Sequence, residues 1–476
     1  TAAPTTTPDA PTTTATPTTT SEPVHPTDPH SDRLGWENGY WYNESVAVDQ
    51  SDGLNESELD AVVARGMARV EHVRGLEFDE TVPVEVISRA EHRNRTNESY
   101  ADVPVNLSLH QNVKYEATFL LGESESAIET QERNQASSVL GYYSPSEDRI
   151  VIVSENTDSP QIDEITLSQE LFHALQEHKF NVSAYEANTE ETHNARSGII
   201  EGDANYVDHL YEEEFGDDLV EKSGGGSSGG DDGDGPHVGM LALRLQPYSD
   251  GPVFVQDLYE RGGWAAVNDV YDAPPESTEQ TIHVGKYRID SPTTVTIEDR
   301  SDANWSVPDL GNDSIDYAQF GEAGLYVMLW YPSYTASMAA QEPRDVVIPY
   351  RDFFAPGSEP GIDQYNYAHR YSAGWDGDRL LPYVTNASAE TGETGYVWKT
   401  VWDSESDAAE FVGAYRQLLS HHGGEPVVDR RHTYRITDGE FADAFYVAQK
   451  GDTVVIVNAP TVENLSAVRE GAGAPT

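Results

Sequence analysis

Acidic side chains dominate this sequence, and they limit the conditions under which the chain can be compact. It contains 83 Asp and Glu residues against 29 Lys and Arg residues, which gives a formal net charge of -54. In dilute buffer, repulsion among so many like charges opposes folding. The Debye length falls to about 3 Å at 1 M salt, so concentrated brine screens most of this repulsion. The charge therefore predicts a protein of an extremely halophilic organism.

The rest of the composition is typical of a folded protein rather than of a disordered acidic chain. Hydrophobic residues make up 37% of the sequence and aromatic residues 10%, which is enough to build a core. The sequence has no basic stripe that could neutralise phosphates, so we expect no nucleic-acid partner. It has no cysteine, which excludes disulfide bonds and cysteine metal ligands.

Two features predict that the chain is exported. Residues 1–32 are rich in Thr and Pro, a composition typical of a disordered, extended stalk. The Asn-x-Ser/Thr pattern that accepts N-linked glycans occurs more often than we expect by chance. The asparagines in this pattern are Asn43, Asn55, Asn94, Asn97, Asn106, Asn181, Asn304, Asn312, Asn386 and Asn464. We therefore expect an extracellular glycoprotein that carries N-linked glycans.

Attachment to the membrane is expected only through an anchor outside the given sequence. No run of about 18 or more apolar residues is present that could span a bilayer. The chain begins at Thr1 without an apolar signal segment, so we expect a removed signal peptide upstream, with a lipid-bearing residue as the anchor. In this interpretation the N-terminal stalk holds the protein at the cell surface.

Hydrophobic spacing predicts an α+β fold with two packed regions. We expect residues 33–300 to form one domain, with a flexible glycine-rich surface loop at 222–236. Residues 301–476 are expected to form an α+β module that packs on it. The predicted elements are a helix capped by Asn55 or Ser57, a strand at 83–89, a helix at 113–123, a hairpin at 139–155, helices around 165–180, 203–213 and 238–262, and then a strand ending in TGYVWKTVW, a helix at 404–420 and a hairpin in FYVAQKGDTVVIV.

The segment ITLSQELFHALQEHKF, residues 165–180, carries the strongest chemical signal. On a helix, Gln169, Glu170, His173 and Gln176 lie on the face opposite an apolar stripe. In zinc peptidases, His-Glu-x-x-His places two metal-binding imidazoles one turn apart, with the Glu beside the metal as general base. Here Gln169 occupies the position of the first histidine.

A second motif follows in SGIIEGDANYVDHLYEEE, residues 197–214. The apolar approach, Gly202 and the helical spacing after it predict that Glu201 lies at the start of a helix. We expect its carboxylate to lie beside His173.

The two motifs resemble the HELxHALQDQ and GLxEGDA pair of a largely uncharacterised family of zincin-like bacterial and haloarchaeal surface proteins. The likeness continues in PPESTEQTIHVGKY (274–287), GWDGDR (374–379) and VWKTVWDSESDAAEFVGAY (397–415), and it covers most of residues 55–470. The resemblance implies a zincin-like core, in which a small sheet with an edge hairpin lies above an active-site helix and a glutamate helix.

The resemblance also implies roles for individual residues. His173 and Glu201 match metal ligands of a gluzincin-type site, and Glu170 matches the catalytic base. The segment 277–283 is expected to line the same cleft, with His283 as a polar contact to substrate.

Gln169 departs from the family pattern and reduces the expected affinity for zinc. Catalytic zinc sites use three protein ligands, usually histidines with a carboxylate, and keep one position for water. An amide oxygen is a weak zinc ligand, so we expect affinity orders of magnitude below that of a complete site. Zinc is thus a doubtful cofactor, and calcium or magnesium at acidic surface sites is a second expectation.

Three functions remain open, and so does the question of whether the chain is an enzyme. The first is a catalytically impaired peptidase relative that acts as a binding or structural component of the cell surface. The second is an active zinc metallopeptidase with Glu170 as the base. The third is an assembly or adhesion protein that contacts itself or another surface protein through cation-bridged carboxylates. A plain hydrogen-bonded pair of His173 and Glu201 between two packed helices would explain the same residues without a metal.

Overall fold

The computed structural model describes residues 27–100, 102–136, 139–220, 235–311, 314–354 and 362–475. The chain is a mixed α+β protein, as its spacing predicts. The predicted stalk at 1–32 and the glycine-rich loop at 222–236 lie almost entirely outside the described residues.

The first part of the chain is mainly helical and contains one small sheet. Its elements are β1 (Trp36–Glu37), β2 (Tyr40–Trp41), α1 (Glu56–Arg74), β3 (Val84–Ser88), α2 (Arg89–Tyr100), α3 (Val105–Ala117), α4 (Ala127–Ala136), β4 (Gly141–Ser144), β5 (Arg149–Ser154), α5 (Glu164–Phe180), α6 (Glu190–Phe215), α7 (Val238–Tyr271) and α8 (Thr278–Ile282). None of the described helices combines the length and the hydrophobicity that a membrane span requires.

Local signals account for the ends of several of these helices. Asn55 caps α1 through a capping box with Glu58, which confirms the predicted start. The helix predicted at 113–123 is wrong at both ends, because α3 begins at Val105 and stops at Ala117. Phe119 adopts a left-handed φ of 55° two residues after this end, a conformation that a helix cannot continue through.

The three-stranded sheet has the order β3-β5-β4. The central strand β5 runs parallel to β3 and antiparallel to β4, and β4 and β5 form the predicted hairpin. One face of β5 packs through Ile150 and Ile152 against the core that contains α1 and α5. Strand β4 is an edge strand of this sheet and contacts α5.

Helices α6 and α7 approach each other unusually closely. A Cβ atom added at Gly202 would lie 2.5 Å from the carbonyl carbon of Gly251 on α7. Only glycine permits this contact, so the pair of glycines sets the distance between the two helices.

The second part of the chain has a six-stranded antiparallel sheet of order β6-β7-β11-β10-β9-β8. Its elements are α9 (Gly321–Ala340), β6 (Trp375–Tyr383), α10 (Ser388–Thr391), β7 (Gly395–Trp402), α11 (Glu405–His421), β8 (Glu425–Pro426), β9 (Thr433–Arg435), β10 (Ala444–Lys450), β11 (Thr453–Ala459) and α12 (Leu465–Val468). The helix predicted at 404–420 and the final hairpin are present as α11 and as β10 with β11.

The largest hydrophobic cluster joins both parts of the chain. Val113 of α3 and Leu243 of α7 belong to the same buried cluster as Trp330 of α9 and Trp398 of β7. The two parts thus share one core.

Candidate functional site

Helix α5 presents a polar face to a cleft beneath strand β4. Asp163 caps the helix by accepting a hydrogen bond from the backbone N–H of Thr166. The apolar face of α5 is buried, whereas Gln169, Glu170, His173 and Glu177 line an open cleft. The hydrophobic spacing predicts this polar face, but Gln176, which it places there too, is buried.

Glu201 lies in the same cleft, but not at the start of a helix as the sequence predicts. It is in the middle of the continuous helix α6, which begins at Glu190. Gly202 does not break this helix. It provides the close contact with Gly251, and this contact explains a glycine at that position.

His173 and Glu201 converge. The Nε2 atom of His173 lies 3.5 Å from the Oε2 atom of Glu201. That distance is long for a hydrogen bond. The same Oε2 atom is buried and has no hydrogen-bond partner among the described residues. Two ligands with metal bonds of about 2.0–2.1 Å in tetrahedral geometry lie about 3.3–3.4 Å apart, so this pair fits two ligands of one zinc ion.

The charges around His173 favour its protonated form when no metal is bound. Burial opposes a charge on the imidazole, but the carboxylates of Glu201 and Glu170 outweigh it and raise the pKa of His173 to about 10. A metal ion at Nε2 would displace that proton.

Glu170 is held by the edge strand. The backbone N–H of Tyr143 on β4 donates a hydrogen bond of 2.7 Å to Oε2 of Glu170. Burial raises the pKa of Glu170, although His173 and the Tyr143 hydrogen bond act in the opposite direction. Glu170 therefore lies against the strand, in the same cleft as the His173–Glu201 pair.

Gln169 completes the motif in position but not in chemistry. Its side chain lines the cleft and makes no hydrogen bond with any other residue that the structure describes. Its amide can offer a neutral oxygen but no imidazole nitrogen, so a third strong ligand for zinc is missing at this position.

Tyr248 belongs to the cleft and was not found by sequence reasoning. It lies on α7 beside Glu201 and is 41% exposed as a residue. Partial desolvation of its hydroxyl group together with this carboxylate raises the pKa of Tyr248 well above its ordinary value. The phenol therefore stays protonated and can donate a hydrogen bond. Its proximity to Glu201 depends on the packing of α6 on α7, which has no local signal in the sequence.

The structure does not bring His283 to this cleft. Its Nε2 atom lies 3.0 Å from Oε1 of Glu322 on α9, and no residue of 277–283 is among those that line the cleft. His178 also points elsewhere, since it pairs with Asp148 at 2.8 Å in the β4–β5 turn. The cleft thus contains Gln169, Glu170, His173 and Glu201 of the predicted site.

Two other groups of carboxylates bear on the calcium or magnesium expectation. Glu279, Asp290 and Asp403 lie close together, but the ammonium group of Lys286 already contacts all three at 2.6–3.0 Å and offsets part of their charge. The second group has no such lysine and lies between α3 and the six-stranded sheet. It consists of Glu116, Glu123 and Asp443. Binding of calcium or magnesium therefore stays a prediction, and this second group is the place to test it.

Most of the predicted glycan acceptors are on the surface. The exposed asparagines are Asn55, Asn94, Asn97, Asn106, Asn181, Asn304 and Asn386. Asn43 and Asn464 are half-buried, and Asn312 lies outside the described residues. Asn55 caps α1 through Oδ1, which leaves its amide nitrogen for a sugar.

Comparison with known protein families gives a match for only part of the chain. Residues 309–469 match a family described as a domain of unknown function (DUF8575). This range includes α9 and the whole six-stranded sheet, and it excludes α5 and α6 with the cleft. No curated protein and no solved structure matches the chain.

Proposed function

We propose that this chain is a cell-surface glycoprotein of an extreme halophile with a gluzincin-like core whose peptidase activity is impaired. The observation that carries the proposal is the convergence of His173 and Glu201 in a cleft where Gln169 replaces the first histidine. The impaired cleft then acts in binding, with a peptide or a glycan as its ligand.

The arrangement of elements supports the gluzincin-like core. An antiparallel edge strand, β4, borders the cleft, the motif helix α5 lies beside it, and a second helix, α6, supplies the carboxylate. The net charge of -54 supports a halophilic organism, and the exposed glycan acceptors support the surface location.

The donor set supports impairment. His173 and Glu201 fit two metal ligands, whereas Gln169 does not supply the third strong one. A bound zinc ion in a complete site polarises the substrate carbonyl and lowers the pKa of water. In this chain Glu170 is placed to take a proton from water, and Tyr248 is placed to donate a hydrogen bond into the cleft.

Zinc content and casein cleavage in concentrated KCl test this proposal. We expect the wild type to retain little zinc after dialysis and to leave casein intact. Gln169→His is expected to bind one zinc per chain, because it completes a set of two histidines and one carboxylate. The double variant Gln169→His with His173→Ala should lose this zinc, whereas Gln169→His with His178→Ala should keep it, since His178 is outside the cleft.

Two results would contradict the proposal in different ways. Stoichiometric zinc and casein cleavage in the wild type would show an active metallopeptidase. A folded Gln169→His variant that binds no zinc would show that residues 169, 173 and 201 do not form one metal site.

A further inference from the structure

A chain of hydrogen bonds runs from His173 into the protein interior. The Nδ1 atom of His173 lies 2.8 Å from Oε1 of Gln176, which is on the next turn of α5. The Nε2 atom of Gln176 lies 2.8 Å from the carbonyl oxygen of Ile200 and 2.7 Å from the hydroxyl oxygen of Tyr271 on α7. The side chain of Gln176 is completely buried.

The chain continues to a buried ion pair. The hydroxyl group of Tyr271 lies 2.7 Å from Oδ2 of Asp203 on α6. Asp203 is bound in turn by Arg74 at the end of α1, through contacts of 2.9–3.1 Å. Asp203 and Arg74 are both fully buried. Four helices therefore contribute to this one chain of hydrogen bonds.

Chemistry fixes the direction of every bond in the chain. A carboxylate paired with arginine only accepts, so Tyr271 donates to Asp203 and its oxygen accepts from Gln176. The carbonyl group of Ile200 also only accepts, which requires the NH₂ group of Gln176 on that side. The amide oxygen of Gln176 must then face His173. It cannot donate, so Nδ1 of His173 carries a proton whether or not Nε2 carries one as well.

The consequence for His173 is an imidazole with one defined orientation. With Nδ1 protonated and bound to Gln176, the remaining nitrogen, Nε2, is directed at Glu201. Metal-binding histidines require this arrangement, since an outer partner on one nitrogen orients the other toward the metal.

We propose that Gln176 is a positioning residue that holds His173 with Nδ1 protonated and Nε2 turned to Glu201, and that Tyr271 and Asp203 hold Gln176 in place. The role of this arrangement in metal binding rests on the proposed function, in which the cleft descends from a metal site. The orientation itself does not need a metal.

The first test needs no metal and measures the imidazole proton directly. In protein labelled with ¹⁵N-histidine, we expect a protected Nδ1–H signal that is absent from His173→Ala and therefore belongs to His173. Gln176→Met removes the acceptor at similar length and should abolish the protected signal. Tyr271→Phe keeps the stack on Phe180 but loses both hydrogen bonds, so it should weaken the protection.

Tyr185→Phe is the matched control. Its hydroxyl group donates to the backbone carbonyl oxygen of Tyr271 and takes no part in the chain, so the His173 signal should not change. An unchanged His173 signal in folded Gln176→Met and Tyr271→Phe would refute the positioning role.

The second test measures cobalt and zinc affinity in the Gln169→His background. Loss of an outer partner of a metal-binding histidine typically lowers affinity about 10- to 100-fold, and we expect this loss for Gln176→Met. Equal affinity with and without Gln176 would also overturn the inference. If Gln169→His binds no metal at all, the proposed function fails, while the imidazole signal still decides whether Gln176 positions His173.

Discussion

Gly202→Ala is expected to push α6 away from α7 and to destabilise the protein. The new Cβ atom would lie 2.5 Å from the carbonyl carbon and oxygen of Gly251 and 2.8 Å from its Cα atom. Carbon atoms pack at about 3.5 Å or more, so relief requires a separation of about 1 Å. The atoms in the way are backbone, and no rotamer change can move them.

The size of the effect follows from two opposing contributions. Overpacking costs about 1–3 kcal/mol, and a backbone contact belongs at the upper end. Alanine returns about 1 kcal/mol through its better helix propensity. We therefore expect the free energy of unfolding to fall by about 2 kcal/mol.

Urea unfolding followed by tryptophan fluorescence in concentrated KCl measures this difference. Gly413→Ala on α11 is the matched control, since a Cβ there meets no atom within 4 Å. The control should gain up to about 1 kcal/mol from propensity alone. If Gly202→Ala is stabilised as much as Gly413→Ala, the two helices do not touch at Gly202 and the close approach is wrong.

Two further variants test buried charges. Burial, together with Asp443 and Glu123, raises the pKa of Glu116 well above its ordinary value. As pH rises above about 4.5 the unfolded chain releases this proton more readily than the folded one, so Glu116 lowers the free energy of unfolding. Glu116→Gln should therefore raise the urea midpoint at pH 7 and lose this advantage below about pH 4, and midpoints equal to those of the wild type at both pH values would refute the raised pKa of Glu116. Arg74→Met leaves the buried Asp203 carboxylate without its positively charged partner and should cost about 3–5 kcal/mol. Arg95→Met, which breaks more exposed pairs with Glu85 and Glu91, should cost less than about 1 kcal/mol in the same assay, and similar losses for the two variants would contradict the difference in burial.

Local signals in the sequence predict a large part of the fold. The cap at Asn55, the β4–β5 hairpin and helix α11 each depend on residues within about one turn or one strand of each other, and each is present. Helix α9 was not predicted, because it is apolar and buried on nearly every side and so has no polar face to reveal its period.

Some residues of the candidate site follow from local spacing in the sequence, and others depend on the packing of distant helices. The positions of Glu170 and His173 on one face of α5 follow from spacing along a single helix. The apolar approach and Gly202 predict a helix start at Glu201, whereas α6 continues through both residues and Gly202 contacts a helix about fifty residues further along the chain. Tyr248 and Tyr271 were missed for the same reason, since both reach the site only through the docking of α7.

The tryptophan-rich interior described above belongs to neither part of the chain alone. Residues 309–469 supply Trp330 and Trp398, but α3 and α7 supply Val113 and Leu243 to the same buried cluster. Excised on its own, the matched segment would expose this apolar surface to water. We therefore expect that the segment matching the family is shorter than the smallest segment of this chain that folds by itself.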